Sequence, residues 1–167
     1  MADAKELMLA DRAYMTVCEA VERFEIKYDK NEEKRAVFFS FTFDDLPVDF
    51  SVMVDADRQL VRFFSKLPVT FSEDKRVEGS IATNYINFKL SLGSFDYGID
   101  NGAIYFRHVT TYRDSVLGAS TICDMIRNVN TVVDDYNDKL FAVSKGYMSV
   151  WDFIQQCEEE EKKEREQ

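Results

Sequence analysis

Apolar and polar residues alternate along two neighbouring stretches in the first half of the chain, on either side of residues 44–47. Apolar residues two positions apart point to one face of a strand, so each stretch predicts a half-buried β-strand. The apolar positions are Val37, Phe39, Phe41 and Phe43 in the first stretch, and Val48, Phe50, Val52 and Val54 in the second. A third strand over residues 60–64, after a turn at residues 55–57, completes a predicted meander.

In other segments the apolar spacing changes to three or four residues, which is the period of an amphipathic helix. This spacing predicts a first helix over residues 3–23 and a second helix that starts at Ser72. A long helix is predicted from Asp114 to a stop at Gly146, and a last helix begins at Ser149.

The strongest local signal is the Asn-Gly pair at residues 101–102, which accepts the positive φ angles of a two-residue hairpin turn. A β-hairpin with that loop places Phe95 opposite His108 on one face. On the other face it places Asp96 opposite Arg107, which is a pair of opposite charge.

These elements predict an α+β fold. The predicted order is helix, three strands, helix, two strands, long helix. Residues 1–154 then form a single domain that includes the C-terminal helix. Residues 155–167 are mostly charged and have no apolar stripe, so we expect them to form a frayed tail.

The composition narrows the class of partner and the cellular compartment. A net charge of -10 repels the phosphates of nucleic acids and of anionic lipids, so we expect neither nucleic acid nor a membrane as partner. Cys18, Cys123 and Cys157 are odd in number and far apart, and the N-terminus does not resemble an export signal. We therefore expect a cytoplasmic protein with reduced thiols.

Candidate catalytic and metal-binding groups are sparse. His108 is the sole histidine, which excludes a site with several histidine ligands and makes a structural histidine the simpler interpretation. The acidic pairs Asp44–Asp45 and Asp55–Asp57 lie between predicted strands, where aspartate commonly bonds to turn backbone. We expect no enzyme activity, no metal and no cofactor.

Aromatic residues are more numerous than one sheet face and three helices require, with 14 Phe, 8 Tyr and 1 Trp. Phe38 falls on the opposite face from Phe39, which predicts that some aromatic side chains reach the outer surface. Burial under the long C-terminal helices explains the same surplus equally well. Phe38, Tyr105 and Trp151 are the candidate protein-binding residues.

The order of elements and several sequence strings resemble the YbjN-like family of proposed bacterial sensory-transduction regulators. The strings lie at residues 76–77, 84–87, 93–97, 101–102 and 104–107, followed by the long helix from Ser115. Members of that family are similar in fold to the class I chaperones of type III secretion. The resemblance implies an antiparallel five-stranded sheet that is packed on one side by helices. None of its motifs is catalytic.

Three functions remain open at this point. The first is a protein-binding module, an adaptor or chaperone-like regulator that also forms a homodimer. The second is a regulator that senses a small molecule between the sheet and the helices, around Tyr85, Tyr97, Tyr105 and Arg107. The third is a hydrolase centred on His108.

Overall fold

The computed structural model describes residues 2–43 and 46–166, and over these residues the chain forms a six-stranded antiparallel sheet with helices on one face. The strands are β1 (Tyr28–Asn31), β2 (Ala36–Phe43), β3 (Leu46–Asp55), β4 (Leu60–Thr70), β5 (Ser94–Tyr97) and β6 (Ala103–Thr111). Their order across the sheet is β1-β2-β3-β4-β6-β5. The acidic pair Asp44–Asp45 lies outside the described residues.

The five-stranded sheet predicted from the sequence is wrong by one strand, β1. Tyr28–Asn31, which lie between the first predicted helix and the first predicted strand, form a strand that pairs with β2. In this edge strand the two middle residues are exposed, so no apolar alternation marks it. Backbone pairing, which leaves no trace in the hydrophobic pattern, holds it to the sheet.

The helices are α1 (Ala4–Arg23), α2 (Arg76–Lys89), α3 (Ala119–Lys145) and α4 (Val150–Arg165), with a 3-10 turn (Glu73–Lys75) before α2. Asp3 and Glu6 form a reciprocal capping box at the start of α1. Gly146, at φ 73°, ends α3 in the left-handed conformation, as the sequence predicts. Ser149 accepts the backbone N–H of Asp152 and begins α4.

The helices pack on the sheet through its inner face. We define this face as the one that carries Val37, Phe39, Phe50, Val52, Phe63 and Phe106, all of them buried. α1 packs on β2, β3 and α3, and α2 packs on β5. α3 packs on β4 and β6. α4 packs on α2 and α3.

The hairpin register differs from the predicted one by two residues. Phe95 pairs with Phe106 rather than with His108, and the N–H of Gly98 donates to the carbonyl of Ala103 across a four-residue loop. Gly102 does have a positive φ, of 70°, but a Cβ there would collide with the carbonyl oxygen of Phe71. The glycine is therefore required by a tertiary contact rather than by a two-residue turn.

The end of the chain also differs from the prediction of a frayed tail over residues 155–167. α4 continues to Arg165, and Cys157 on it is buried. Glu161 forms an ion pair with Lys89 of α2, and Glu160 forms one with Lys139 of α3. The acidic run is thus held by lysines that lie far from it in the sequence.

Candidate binding surface

The face of the sheet opposite the helices carries exposed aromatic side chains. We call it the open face. Strand register places Phe38, Ser51, Phe64 and Arg107 side by side across β2, β3, β4 and β6. Phe38 is 43% exposed and Phe64 is 40% exposed, because all the helices that pack on the sheet do so through the inner face.

The aromatic side chains of the open face lie near its centre. The ring of Phe64 stacks on that of Tyr105, with centroids 5.5 Å apart and ring planes 23° from parallel. Met53 and Val109, on the same side of β3 and β6, are also exposed and extend the apolar surface. Exposed apolar side chains thus occur on four neighbouring strands, with Ser51 between Phe38 and Phe64 and Arg62 between Met53 and Val109.

An open groove of about 710 Å³ runs over this face. Lys27, Phe38, Ser40, Asp49, Phe64 and Lys66 are among the residues that line it. A groove of this size is in the range of ligand-binding clefts, although this one is shallow and broad rather than enclosed.

The serine hydroxyls of the groove already have partners inside the chain. Ser40 donates to the carboxylate of Asp49 at 2.6 Å. Ser51 donates to the carbonyl of Phe64 at 3.2 Å. These hydroxyls need no hydrogen bond from a bound partner, so apolar contact can dominate the floor of the groove.

The charges of the open face balance, in contrast with the net charge of -10 for the whole chain. Its strand residues, with Lys27 just before β1, supply four cations and four carboxylates. These are Lys27, Arg62, Lys66 and Arg107, and Asp29, Asp49, Asp55 and Asp96. The excess negative charge of the chain therefore lies elsewhere.

The cations of the open face fall into two groups. Arg62 pairs with Asp55 at 3.4 Å, and Arg107 pairs with Asp96 at 2.8 Å. Among the residues that the structure describes, neither Lys27 nor Lys66 has an ion-pair partner. Two lysines of the groove are thus available to a carboxylate from outside.

The three candidate residues from the sequence do not lie together. Phe38 and Tyr105 share the open face. Trp151, which is 69% exposed, lies on α4, on the helical side of the sheet. Phe64 is not among the candidates predicted from the sequence, although the alternation that points Phe63 inward also points Phe64 outward.

The residues suggested for a small-molecule site lie on opposite sides of the sheet. Tyr85 meets Phe153 of α4 edge to face, and Tyr97 meets Phe71 in the same way, both on the helical side. Tyr105 and Arg107 lie on the open face. These four side chains therefore do not converge on one cavity.

His108 lies on the inner face and is 6% exposed. Its Nδ1 lies 3.3 Å from Nδ2 of Asn128, and burial lowers the pKa of the imidazole. Within residues 2–43 and 46–166, no group of three or more His, Cys, Asp or Glu side chains is placed to hold a metal ion.

The three cysteines are free thiols. Burial raises the pKa of Cys157 to about 11 and also raises that of Cys18. A raised pKa reduces the thiolate fraction at neutral pH and with it the nucleophilicity of these two side chains. None of the described helices is long and apolar enough to cross a membrane.

No known sequence family matches the chain. No curated protein matches it in sequence. Among solved structures it is similar to a chain of the HopA1–SchA chaperone–effector complex, with a TM-score of 0.53 at 8% identity, over 83% of this chain and 99% of that one.

It is also similar to YbjN from E. coli, described as a proposed transcription regulator, with a TM-score of 0.53 at 10% identity. That match covers 75% of this chain and 92% of YbjN. These comparisons confirm the expected likeness in fold: the chain has a YbjN-like, type III secretion chaperone-like α+β fold.

Proposed function

We propose that this chain is a non-enzymatic protein-binding module, an adaptor or chaperone-like regulator, which binds a segment of another protein on the open face. The observation that carries the proposal is the pair of exposed rings, Phe38 and Phe64, that line an open groove, with Tyr105 stacked on Phe64. Exposed aromatic side chains that share one surface are typical of partner contacts.

The groove favours a segment with apolar side chains and a carboxylate. Rings such as Phe38 and Phe64 gain from apolar contact, whereas the groove serines have internal partners. Lys27 and Lys66 would pair with an acidic group of the partner. Because the charges of this face balance, we expect salt to weaken binding only modestly.

The likeness in fold supports this proposal by analogy. One of the similar structures is a complex of a chaperone with an effector, so a chain of this fold occurs in a protein complex. At 8% identity the analogy reaches the fold and does not transfer contacts between the two chains.

We further propose that the protein is bacterial and cytoplasmic, and that its partner is a protein client or a second copy of the chain. A net charge of -10 disfavours nucleic acids and anionic membranes as partners. The three free thiols fit a reducing compartment. Light scattering on the purified chain measures whether it is a monomer or a homodimer.

The test is affinity purification of the tagged full chain from its native cells, for the wild type and a Phe38→Ser/Phe64→Ser variant. We expect a stoichiometric protein partner with the wild type and its loss with the double variant. Phe88→Ser is the matched control, since Phe88 is 85% exposed but lies on α2, on the other side of the sheet. Capture of the partner by the Phe38→Ser/Phe64→Ser variant but not by the Phe88→Ser control would contradict binding at the open face.

A further inference from the structure

α4 lies in a groove between α2 and α3, which we call the α2–α3 groove. The residues of α4 that are buried there are Val150, Phe153 and Cys157, at spacings of three and four. Phe153 meets the ring of Tyr85 edge to face, with centroids 6.0 Å apart. One face of α4 is therefore a short apolar stripe, as in an amphipathic helix bound to a receptor groove.

The two walls of the α2–α3 groove carry the same pair of groups. On α2, the Lys89 ammonium lies 5.4 Å from the ring centre of Tyr85. On α3, the Lys139 ammonium lies 5.8 Å from the ring centre of Tyr136. Each wall thus offers an aromatic ring for an apolar side chain and a lysine for a carboxylate.

α4 uses both lysines through adjacent glutamates. Lys89 Nζ lies 2.9 Å from Glu161 Oε2, and Lys139 Nζ lies 2.9 Å from Glu160 Oε2. Glu158 and Glu159, two residues earlier in the same acidic run, are exposed and face solvent. The lysines of the groove therefore pair with Glu160 and Glu161 of the acidic run. Which glutamates pair depends on their direction around the helix rather than on the total charge of the run.

The position of α4 depends on its contacts with the α2–α3 groove. The buried Val150, Phe153 and Cys157, the partly buried Ile154 and two partly exposed ion pairs hold a helix of 16 residues, and an isolated helix of that length is marginal in water. In addition, the Tyr85 hydroxyl is buried in this region without a hydrogen-bond partner. An unpaired buried hydroxyl lowers the net gain from docking.

We propose that the α2–α3 groove is a helix-binding site that α4 fills in the free protein and yields to a helix of a partner protein. The partner helix has apolar residues at positions i, i+3 and i+7, followed by carboxylates at i+10 and i+11, which is the pattern of Val150, Phe153, Cys157, Glu160 and Glu161. A second copy of this chain would have to withdraw α4 from its own groove in order to fill this one, so the occupant is a helix of a different protein.

The test releases α4 without changing the groove. In the full chain, Glu160→Lys/Glu161→Lys places like charges against Lys139 and Lys89, and hydrogen exchange over residues 150–165 should become faster. A fluorescent peptide with the wild-type sequence of residues 149–166 should then bind the variant about tenfold more tightly than the wild type, because α4 no longer occupies the groove.

The matched control is Glu158→Lys/Glu159→Lys, which makes the same change in net charge two residues away, on the exposed side of α4. It should leave both the exchange of α4 and the weak peptide binding as in the wild type. Far-UV circular dichroism checks that both variants keep their secondary structure.

Three outcomes would overturn the proposal. The first is equal peptide affinity for both variants after exchange has shown that α4 is released. The second is unchanged exchange of α4 in Glu160→Lys/Glu161→Lys. The third is the formation of dimers that exchange α4 between copies, which would assign the groove to the chain itself rather than to a partner.

Discussion

The inner and open faces of the sheet both carry aromatic pairs, but only those of the open face meet solvent. On the inner face, Phe95 and Phe106 meet edge to face at 5.1 Å and are fully buried. On the open face, Phe64 and Tyr105 stack at a similar distance, yet Phe64 remains exposed. Ring geometry therefore does not distinguish a core contact from a surface that a partner can use. The two pairs differ in exposure because the helices cover the inner face and leave the open face uncovered.

The largest effect should come from truncating a ring of the inner face. Phe106→Ala should lower the free energy of unfolding by about 3–5 kcal/mol, because it leaves a cavity beside Phe95. Phe64→Ala is the control on the open face and should cost about 1 kcal/mol or less. Urea unfolding followed by circular dichroism measures both. Equal losses would mean that the open face also serves as core.

A smaller effect should come from adding a methyl group at Gly79, where α2 packs against Phe71 and Tyr97. A Cβ at Gly79 would lie 2.7 Å from Tyr97 Oη and 2.8 Å from Cγ of Phe71, so Gly79→Ala should cost about 1–2 kcal/mol despite the higher helix propensity of alanine. Ser80→Ala, one residue further along α2, is the control and should be neutral or stabilising. Thermal unfolding separates the two variants, and a stabilised Gly79→Ala protein would refute the tight packing.

The smallest effect concerns His108 and pH. Burial lowers the pKa of this imidazole in the folded state, so the unfolded chain binds more protons as the pH falls. The contribution of His108 to stability should therefore be complete above the unfolded pKa of about 6.5 and lost progressively below it. Urea unfolding of wild type and His108→Gln between pH 8 and pH 5 tests this. Parallel pH profiles of stability for the wild type and His108→Gln would show that His108 does not contribute to the pH dependence.

Alternation in the sequence was sufficient to orient the strands of both faces. It placed Phe38 opposite Phe39, and it would have identified Phe64 by the same argument. What alternation cannot report is which face the helices cover, because that depends on where the helices pack. Trp151, chosen for its residue type, consequently lies on a different surface from Phe38.

The features that the sequence analysis got wrong depend on contacts between distant residues. The hairpin register is set by the fit of Gly102 against Phe71, and a local turn preference contains no information about that contact. The acidic end of α4 is helical because Lys89 and Lys139 approach it from other helices. β1 has no apolar alternation to reveal it, since its middle residues are exposed.

The two edge strands of the sheet, β1 and β5, are only four residues long. β1 carries Asp29 and Lys30 at its centre, and β5 carries Asp96. Short, charged edges are poor templates for adding a further strand from a neighbouring molecule. The exposed apolar side chains therefore lie on the open face of the sheet and not on its edges. A sheet built in this way can bind a partner through its face without adding strands at its edges to form fibrils.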